Sequence, residues 1–303
     1  MKKKSIIHIT GPTASGKTDL SIKLSQIFNT DIVSYDSRQF YKQMKIGTSV
    51  PNHEQLKKVK HYFIHNKNIT DNYNVGIYRS EANEIINKLF QNKNFLIFVG
   101  GSGLYGDSII FGLDDFPDVP KNIRDNLIDE FKQNGIGFLQ EKLKKVDTEY
   151  YKKVDINNHR RLIRALEIIE ATGKKFSSFL QLKKNNNNFN LITLNIDLEK
   201  NILHKRIESR VEKMIYDGLE SEVYKLKKFK KLNPMKSVGY YEWFDYWKKK
   251  ITFDDVVNKI KNNTKKYAKK QKTWNKKYNN AISCSDESNL DELEYLIKNK
   301  IKH

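Results

Sequence analysis

Residues 5–27 read SIIHITGPTASGKTDLSIKLSQI, and this stretch decides the fold. Residues 5–10 form a short apolar run suited to a buried strand, and beyond Thr18 the residues Leu20, Leu24 and Ile27 recur on one helical face. Between strand and helix, residues 11–18 satisfy the pattern G-x-x-x-x-G-K-[ST] in the place that pattern requires. Glycines there let the backbone curl until successive N–H groups point inward, and the start of a helix adds positive potential. Gly11, Pro12, Thr13, Ala14, Ser15 and Gly16 thus read as a cradle for a phosphorylated small molecule. Lys17 reaches the outer phosphate and Thr18 is able to ligate Mg²⁺.

Farther along, residues 31–34 and the continuously apolar 95–99 (FLIFV) read as strands, with a helix over 79–90 between them. Strands alternating with helices predict a parallel sheet: an α/β fold with a P-loop NTPase-like core flanked by helices. From residue 117 to 184 the pattern turns to charged helices without a strand. The asparagines at 185–188 then mark a turn or linker, and residues 191–196 return as an apolar strand. The expected division is a core of 1–116 and 189–303 carrying a helical insertion domain at 117–188. Residues 198–230 and 253–278 read as mainly helical, ahead of a weakly acidic tail. With 303 residues and 38% hydrophobic side chains the chain fills at least one sizeable core, which excludes disorder over most of its length.

Charge narrows the partner. Basic residues number 56 against 36 acidic ones, a net charge of +20, and only 8 of the basic residues are arginine. Such a balance favours a polyanion, nucleic acid before membrane, although drift of an AT-rich genome toward Lys and Asn codons accounts for the same total. The distribution separates the two explanations. Residues 225–280 hold 18 basic and 4 acidic side chains, whereas 111–224 hold 20 and 19. Tyr240, Tyr241, Trp243, Trp247, Tyr267 and Trp274 lie among those lysines. Rings beside cations suit unpaired bases and phosphates, while helical spacing equally makes any one of them a core residue. The apolar stretch behind Lys2–Lys4 is too short for a signal peptide or a membrane span, and a single cysteine, Cys284, forms no intramolecular disulfide. A cytoplasmic protein without a membrane partner is expected.

In folds of this kind ligands sit beyond the carboxyl ends of the strands. After the second strand come Asp36, Ser37, Arg38 and Gln39, and after the third come Gly100, Gly101, Ser102 and Gly103. Asp36 is placed as a Mg²⁺ partner, as a general base on a substrate held against the phosphates, or as a helix cap. Ser102 sits where a hydroxyl could reach a leaving phosphate oxygen. To this point a kinase and another phosphate-displacing enzyme read alike.

Several separated motifs narrow the choice. GPTASGKT at 11–18, DSRQ at 36–39 with Tyr41, MKIGT at 44–48, VGGSGLY at 99–105 and RLIRALE at 161–167 together resemble the bacterial tRNA dimethylallyltransferases. Arg206, Arg210, Gly218, Glu222, then Val238, Gly239, Tyr240 and KKQKTW at 269–274 follow in the matching order. The resemblance spans about residues 5–275. It implies transfer of the dimethylallyl group from dimethylallyl diphosphate to N6 of adenosine 37, beside the anticodon, in tRNAs reading codons that begin with U. It further implies Asp36 as the base taking the amine proton, Ser102 near the bridging oxygen of the diphosphate, and Lys17, Thr18, Mg²⁺ and Arg210 offsetting the charge of the leaving group.

The adenine must be flipped out of the anticodon loop to react. Ser37, Arg38 and Gln39 are placed to hold it, and Gln39, a donor and an acceptor at once, suits an adenine edge. Arg124, Arg160, Arg161 and Arg164 match family positions that contact tRNA, as do Lys236, Gly239, Tyr240, Lys269, Lys270, Trp274 and Lys276. The alternative for the insertion's arginines is ion pairing with Asp125, Asp129 or Glu167. Ser49 and Val50 stand where the family usually shows Ala-Lys, Asn158 replaces a common Asp, and Ser102 stands for a common Thr. A monomer is expected, because a protein wrapping one anticodon arm needs no symmetry. The rival readings are a small-molecule kinase and an adenylate prenyltransferase, which both leave the basic segment idle, and a tRNA-binding protein with a decayed site, against which the intact Lys17, Asp36 and Arg210 speak.

Overall fold

A computed structural model describes residues 4–180 and 189–301. Six strands form one sheet: β1 (Lys4–Thr10), β2 (Ile32–Ser34), β3 (His61–Tyr62), β4 (Phe95–Val99), β5 (Phe189–Ile196) and β6 (Ile282–Cys284), in the order β3-β2-β4-β1-β5-β6. Every pairing is parallel. β1 is central, with Ile7 in register with Ile97 on one side and Ile192 on the other.

Because side chains alternate along a strand, β1 and β4 each supply two cores. Ile7, Ile9, Ile97 and Val99 pack with Leu20 and Leu24 of the Lys17–Ile27 helix and with Leu293 and Ile297 near the C-terminus. Ile6, Leu96 and Phe98 pack on the other face against Tyr78, Ala82 and Ile86 of the Val75–Asn92 helix. This two-sided cover explains why the central strands lack polar alternation. Ser5, Thr10 and His8 are the buried polar exceptions on β1, and His8 is the titratable one. Fully buried, it pairs with the Tyr35 hydroxyl at 2.8 Å and Thr193 Oγ1 at 3.3 Å. Burial, with the Lys277 charge second, pushes its pKa down to about 3, so the ring stays neutral.

Two strands lie where the sequence showed none. β3 and β6 are edge strands of 2 and 3 residues, too short to display a period, and β6 occupies part of the expected acidic tail. The helical stretch expected at 198–230 breaks at Gly218, whose φ of +93° ends the Lys200–Tyr216 helix and opens Leu219–Lys225. A third core gathers Met44, Val211, Val223, Tyr240, Trp243, Val256 and Ile260.

The chain divides into two compact units, Met1–Ile110 with Asn186–His303, and Phe111–Asn185. The first break precedes residue 117 because Phe116 already packs against Phe176 and Phe179 of the smaller unit. The regular elements among its described residues are all helices, with Leu127, Leu139, Leu143, Leu162 and Leu166 at its centre and a kink at Gly135. The asparagine turn read at 185–188 lies outside the described residues. Among the described residues no helix is long and apolar enough to cross a membrane.

Candidate active site

The loops leaving β1, β2 and β4 meet at one edge of the sheet. In the first, Gly11 (φ +152°) passes so close to β5 that a Cβ would lie 2.8 Å from the Ile196 carbonyl. Gly16, at φ +89°, caps the Lys17–Ile27 helix, and a Cβ there would strike the Asp286 carboxylate. Both glycines are thus required by backbone shape and by neighbours. Lys17 Nζ donates to the Pro12 carbonyl at 2.6 Å, folding back over its own loop. Burial pushes its pKa down to about 7, against the pull of Asp36 and with a smaller push from Arg210.

A cavity of about 760 Å³ opens over this loop. Thr13 to Thr18, Asp36, Gln39, Ser49, Gly100, Gly101, Arg206 and Arg210 line it, and Ile46, Val50 and Met214 add an apolar side. Arg210 spans two walls, donating from Nε to Ser49 Oγ at 2.7 Å and from Nη1 to Thr13 Oγ1 at 3.1 Å. Arg206 is held instead by Asp286, at 2.6 Å. A smaller cavity of about 110 Å³, lined by Tyr35, Gly103, Lys270 and Trp274, shares Gly100, Gly101, Tyr267 and Gln271 with the first. Asp36 Oδ2 lies 3.2 Å from where a Gly101 Cβ would sit, so that missing side chain leaves the carboxylate at the junction of the two cavities.

The remaining residues expected at the site divide by position. Asp36 Oδ1 accepts the Arg38 amide at 3.1 Å, which fixes the turn after β2. Ser102 Oγ accepts the Ser37 amide at 2.9 Å and pairs with the Ser37 hydroxyl at 2.8 Å, so it ties the β4 loop to the β2 loop and does not line the larger cavity. Gln39 does line it, with Nε2 donating to the Thr48 and Ser49 carbonyls at 3.2 and 3.1 Å.

On the Phe253–Asn275 helix and just beyond, Lys269, Lys270, Trp274 and Lys276 are exposed, and so is Lys236. Trp274 covers Gly103, where a Cβ would collide with the indole. Tyr240 and Gly239 correct the reading made from the motifs. Tyr240 is fully buried on Gly47, its hydroxyl donating to Glu222 at 2.7 Å, and Gly239 is buried with its amide on Glu242 at 2.9 Å. Both are buried in this structure, Tyr240 within the third core and Gly239 beside it, so neither presents the exposed surface expected of a tRNA contact. In the smaller unit Arg124 and Arg164 share the buried Glu167, at 3.0 and 2.6 Å, which is the ion-pair alternative. Each keeps nearly half of its side-chain surface, and Arg160 and Arg161 are exposed.

Gln271 lies inside the KKQKTW motif, yet the motif assigned it no role. Its Oε1 accepts the Thr13 amide at 2.7 Å and its Nε2 donates to the Gly101 carbonyl at 2.9 Å, bolting the basic helix to two site loops. The available signal was a polar residue on the stripe Val256, Ile260, Ala268 that faces inward, where an amide must find partners.

Residues 39–278 match the model of the family described as IPP transferase. The chain is 43% identical over 303 residues to the tRNA dimethylallyltransferase of Flavobacterium johnsoniae, covering 98% of each chain. It is 41% identical over 304 residues to that of Flavobacterium psychrophilum, covering 98% of this chain and 99% of the relative. The solved structure of the full-length tRNA isopentenylpyrophosphate transferase from Bacillus halodurans superposes with a TM-score of 0.73 at 29% identity, covering 99% of this chain and 97% of that one.

Proposed function

The chain belongs to the IPP transferase family, and on that premise we propose that it transfers the dimethylallyl group of dimethylallyl diphosphate to N6 of adenosine 37 in tRNA. The observation that carries this reading is Asp36, a carboxylate at the junction between a cavity built on a phosphate loop and a second cavity walled by Gly101, Gln271 and Trp274. Diphosphate held by the loop amides, Lys17 and Arg210 presents its allylic carbon toward the junction, and the extruded adenine meets it there. The N6 lone pair forms the new C–N bond as the C–O bond breaks, and the electron pair of the broken bond leaves on the diphosphate. The N6 proton passes to Asp36, which releases it to water. Lys17 and Arg210 offset the charge gathering on the leaving oxygen. Gln39 has given its donor hydrogens to the loop carbonyls and offers its own carbonyl to the adenine amine.

Mg²⁺ fits this site on donor chemistry. No cluster of three acidic, His or Cys side chains exists among the described residues, but the cavity lining includes the Thr18 hydroxyl and the Asp36 carboxylate. A magnesium ion needs only one or two protein oxygens when phosphate oxygens and water complete its shell. Thr18 would hold it, and the ion would supply positive charge against the diphosphate.

The test is incubation with labelled dimethylallyl diphosphate, Mg²⁺ and either unmodified tRNA, AMP or ATP with candidate acceptors, followed by nucleoside analysis. Prenylated adenosine from tRNA is expected. Transfer to AMP alone, or phosphoryl transfer from ATP, would overturn the reading.

Two further outcomes are expected. A diphosphate raises the pKa of Lys17, so binding takes up a proton wherever the ligand-free amine is neutral, above about pH 7. Affinity is therefore full below that pH and weakens by roughly tenfold per unit above it, until the bound-state pKa is reached. Titration calorimetry in buffers of different ionisation heat reads the proton uptake, which Lys17→Met should abolish. Replacing Lys269 and Lys270 by alanine should lower the slope of log K against log salt for tRNA binding by about one unit or less for each phosphate left without its lysine. An unchanged slope would place these lysines off the RNA.

A further inference from the structure

Several observations converge on Ser49. Its hydroxyl accepts from Arg210 Nε at 2.7 Å, while the same guanidinium donates from Nη1 to Thr13 in the phosphate loop at 3.1 Å. Its backbone is left-handed, with φ +46°, a region that serine enters only when its surroundings impose it. Those surroundings are visible just upstream. The amides of Lys45, Ile46 and Gly47 all donate to the Glu222 carboxylate, at 2.9, 2.9 and 3.1 Å, and the Tyr240 hydroxyl adds a fourth bond at 2.7 Å. The Thr48 hydroxyl donates back to the Met44 carbonyl at 2.6 Å. The segment delivering Ser49 is thus anchored to the Leu219–Lys225 helix, whereas Arg210 rises from the separate Lys200–Tyr216 helix.

Electrostatics supplies the reason for such a clamp. Arg210 is close enough to Lys17 for its charge to lower the lysine's pKa, a push smaller than the pull of Asp36, whose charge also acts on Arg210. Those opposed charges fix no single rotamer, and an arginine free to sample several would have to be ordered again at each turnover, with loss of side-chain freedom. Two hydrogen bonds hold it over the loop, and the guanidinium retains further N–H donors for an anion.

We propose that Ser49 is a positioning residue, whose hydroxyl sets the Arg210 guanidinium against the phosphate loop before the diphosphate arrives. The proposal rests on the diphosphate reading of the larger cavity. Ser49 acts through Arg210 and not through direct chemistry on the substrate.

Inorganic pyrophosphate with Mg²⁺ is the probe, measured by calorimetry on the full chain. Ser49→Gly removes the hydroxyl and relieves the left-handed backbone; Ser49→Ala removes the hydroxyl alone. Both should raise the Kd for pyrophosphate, and the KM for dimethylallyl diphosphate, by roughly three- to tenfold, the scale of one ordinary hydrogen bond, since the arginine itself stays in place. The Kd for tRNA should not change. In an Arg210→Ala background Ser49→Gly should have no further effect, an outcome a merely structural serine would not produce. Wild-type pyrophosphate affinity in Ser49→Gly, or the same loss with and without Arg210, would overturn the positioning role while leaving the diphosphate site intact. Failure of the unaltered protein to bind pyrophosphate, or indifference of its affinity to Lys17→Met and Arg210→Ala, would overturn the diphosphate reading and this proposal together.

Discussion

Replacing Asp36 by asparagine is expected to lower kcat for prenyl transfer by about 10²- to 10⁴-fold, the range of a positioned general base. Asparagine keeps the shape of the side chain and an oxygen for the Arg38 amide, which Asp36 now holds at 3.1 Å. The turn after β2 therefore persists, and with it the Ser37 and Ser102 bonds that join the two loops. What disappears is a group that can take the N6 proton. A second effect separates this role from a structural one. The Asp36 charge raises the pKa of Lys17, so its removal lets that pKa fall below about 7. Pyrophosphate binding by Asp36→Asn should then begin to weaken at a lower pH than in the unaltered protein. Single-turnover kinetics and the pH dependence of pyrophosphate affinity check both halves. Collapse of tRNA binding with turnover would instead assign Asp36 to recognition.

The largest expected loss of stability follows Tyr240→Ala. The side chain is wholly buried, its ring lies on Gly47 and its hydroxyl completes the bonds on Glu222. Large-to-small replacement of a buried aromatic costs about 3–5 kcal/mol. For a chain of this size that lowers Tm by roughly 10 °C. Glu222 also loses a donor, and the three amides of residues 45–47 lose a fixed acceptor geometry, so the Ser49–Arg210 hydrogen bond should loosen with it. Thermal denaturation reads the first effect and pyrophosphate affinity the second. The salt dependence of tRNA binding should be unaltered, since no Tyr240 surface is exposed. Trp274→Ala makes the contrast: 38% of its surface is open, and its removal should weaken tRNA binding with little change in Tm.

How much of this was legible depended on distance along the chain. The phosphate loop, the helix it opens, the central strands and the placement of Asp36 and Gly101 at strand ends all follow from contiguous residues. The edge strands β3 and β6 did not, because two or three residues carry no period and are paired only by an existing sheet. The aromatics at 240–274 were ambiguous for a different reason. Tyr240, Trp243 and Trp274 are similar in composition and local charge, yet the first two fill a core and the third lies on the surface. Arg124 and Arg164 were legible as arginines in a lysine-rich chain, but only the packing of the helical unit shows Glu167 between them.

By itself the sequence determined where the glycine-rich loop, its lysine and the helix start lie, since these are neighbours in the chain. The tertiary structure alone decided which side chains hold that loop and its neighbours in shape. Gln271 meets Thr13 across 258 positions, Arg210 meets Ser49 across 161, and Glu222 gathers amides 175 to 177 residues away. Local propensity is blind to such pairings. They form because buried polar groups must find partners once the helices have packed, and the packing chooses which partners are within reach.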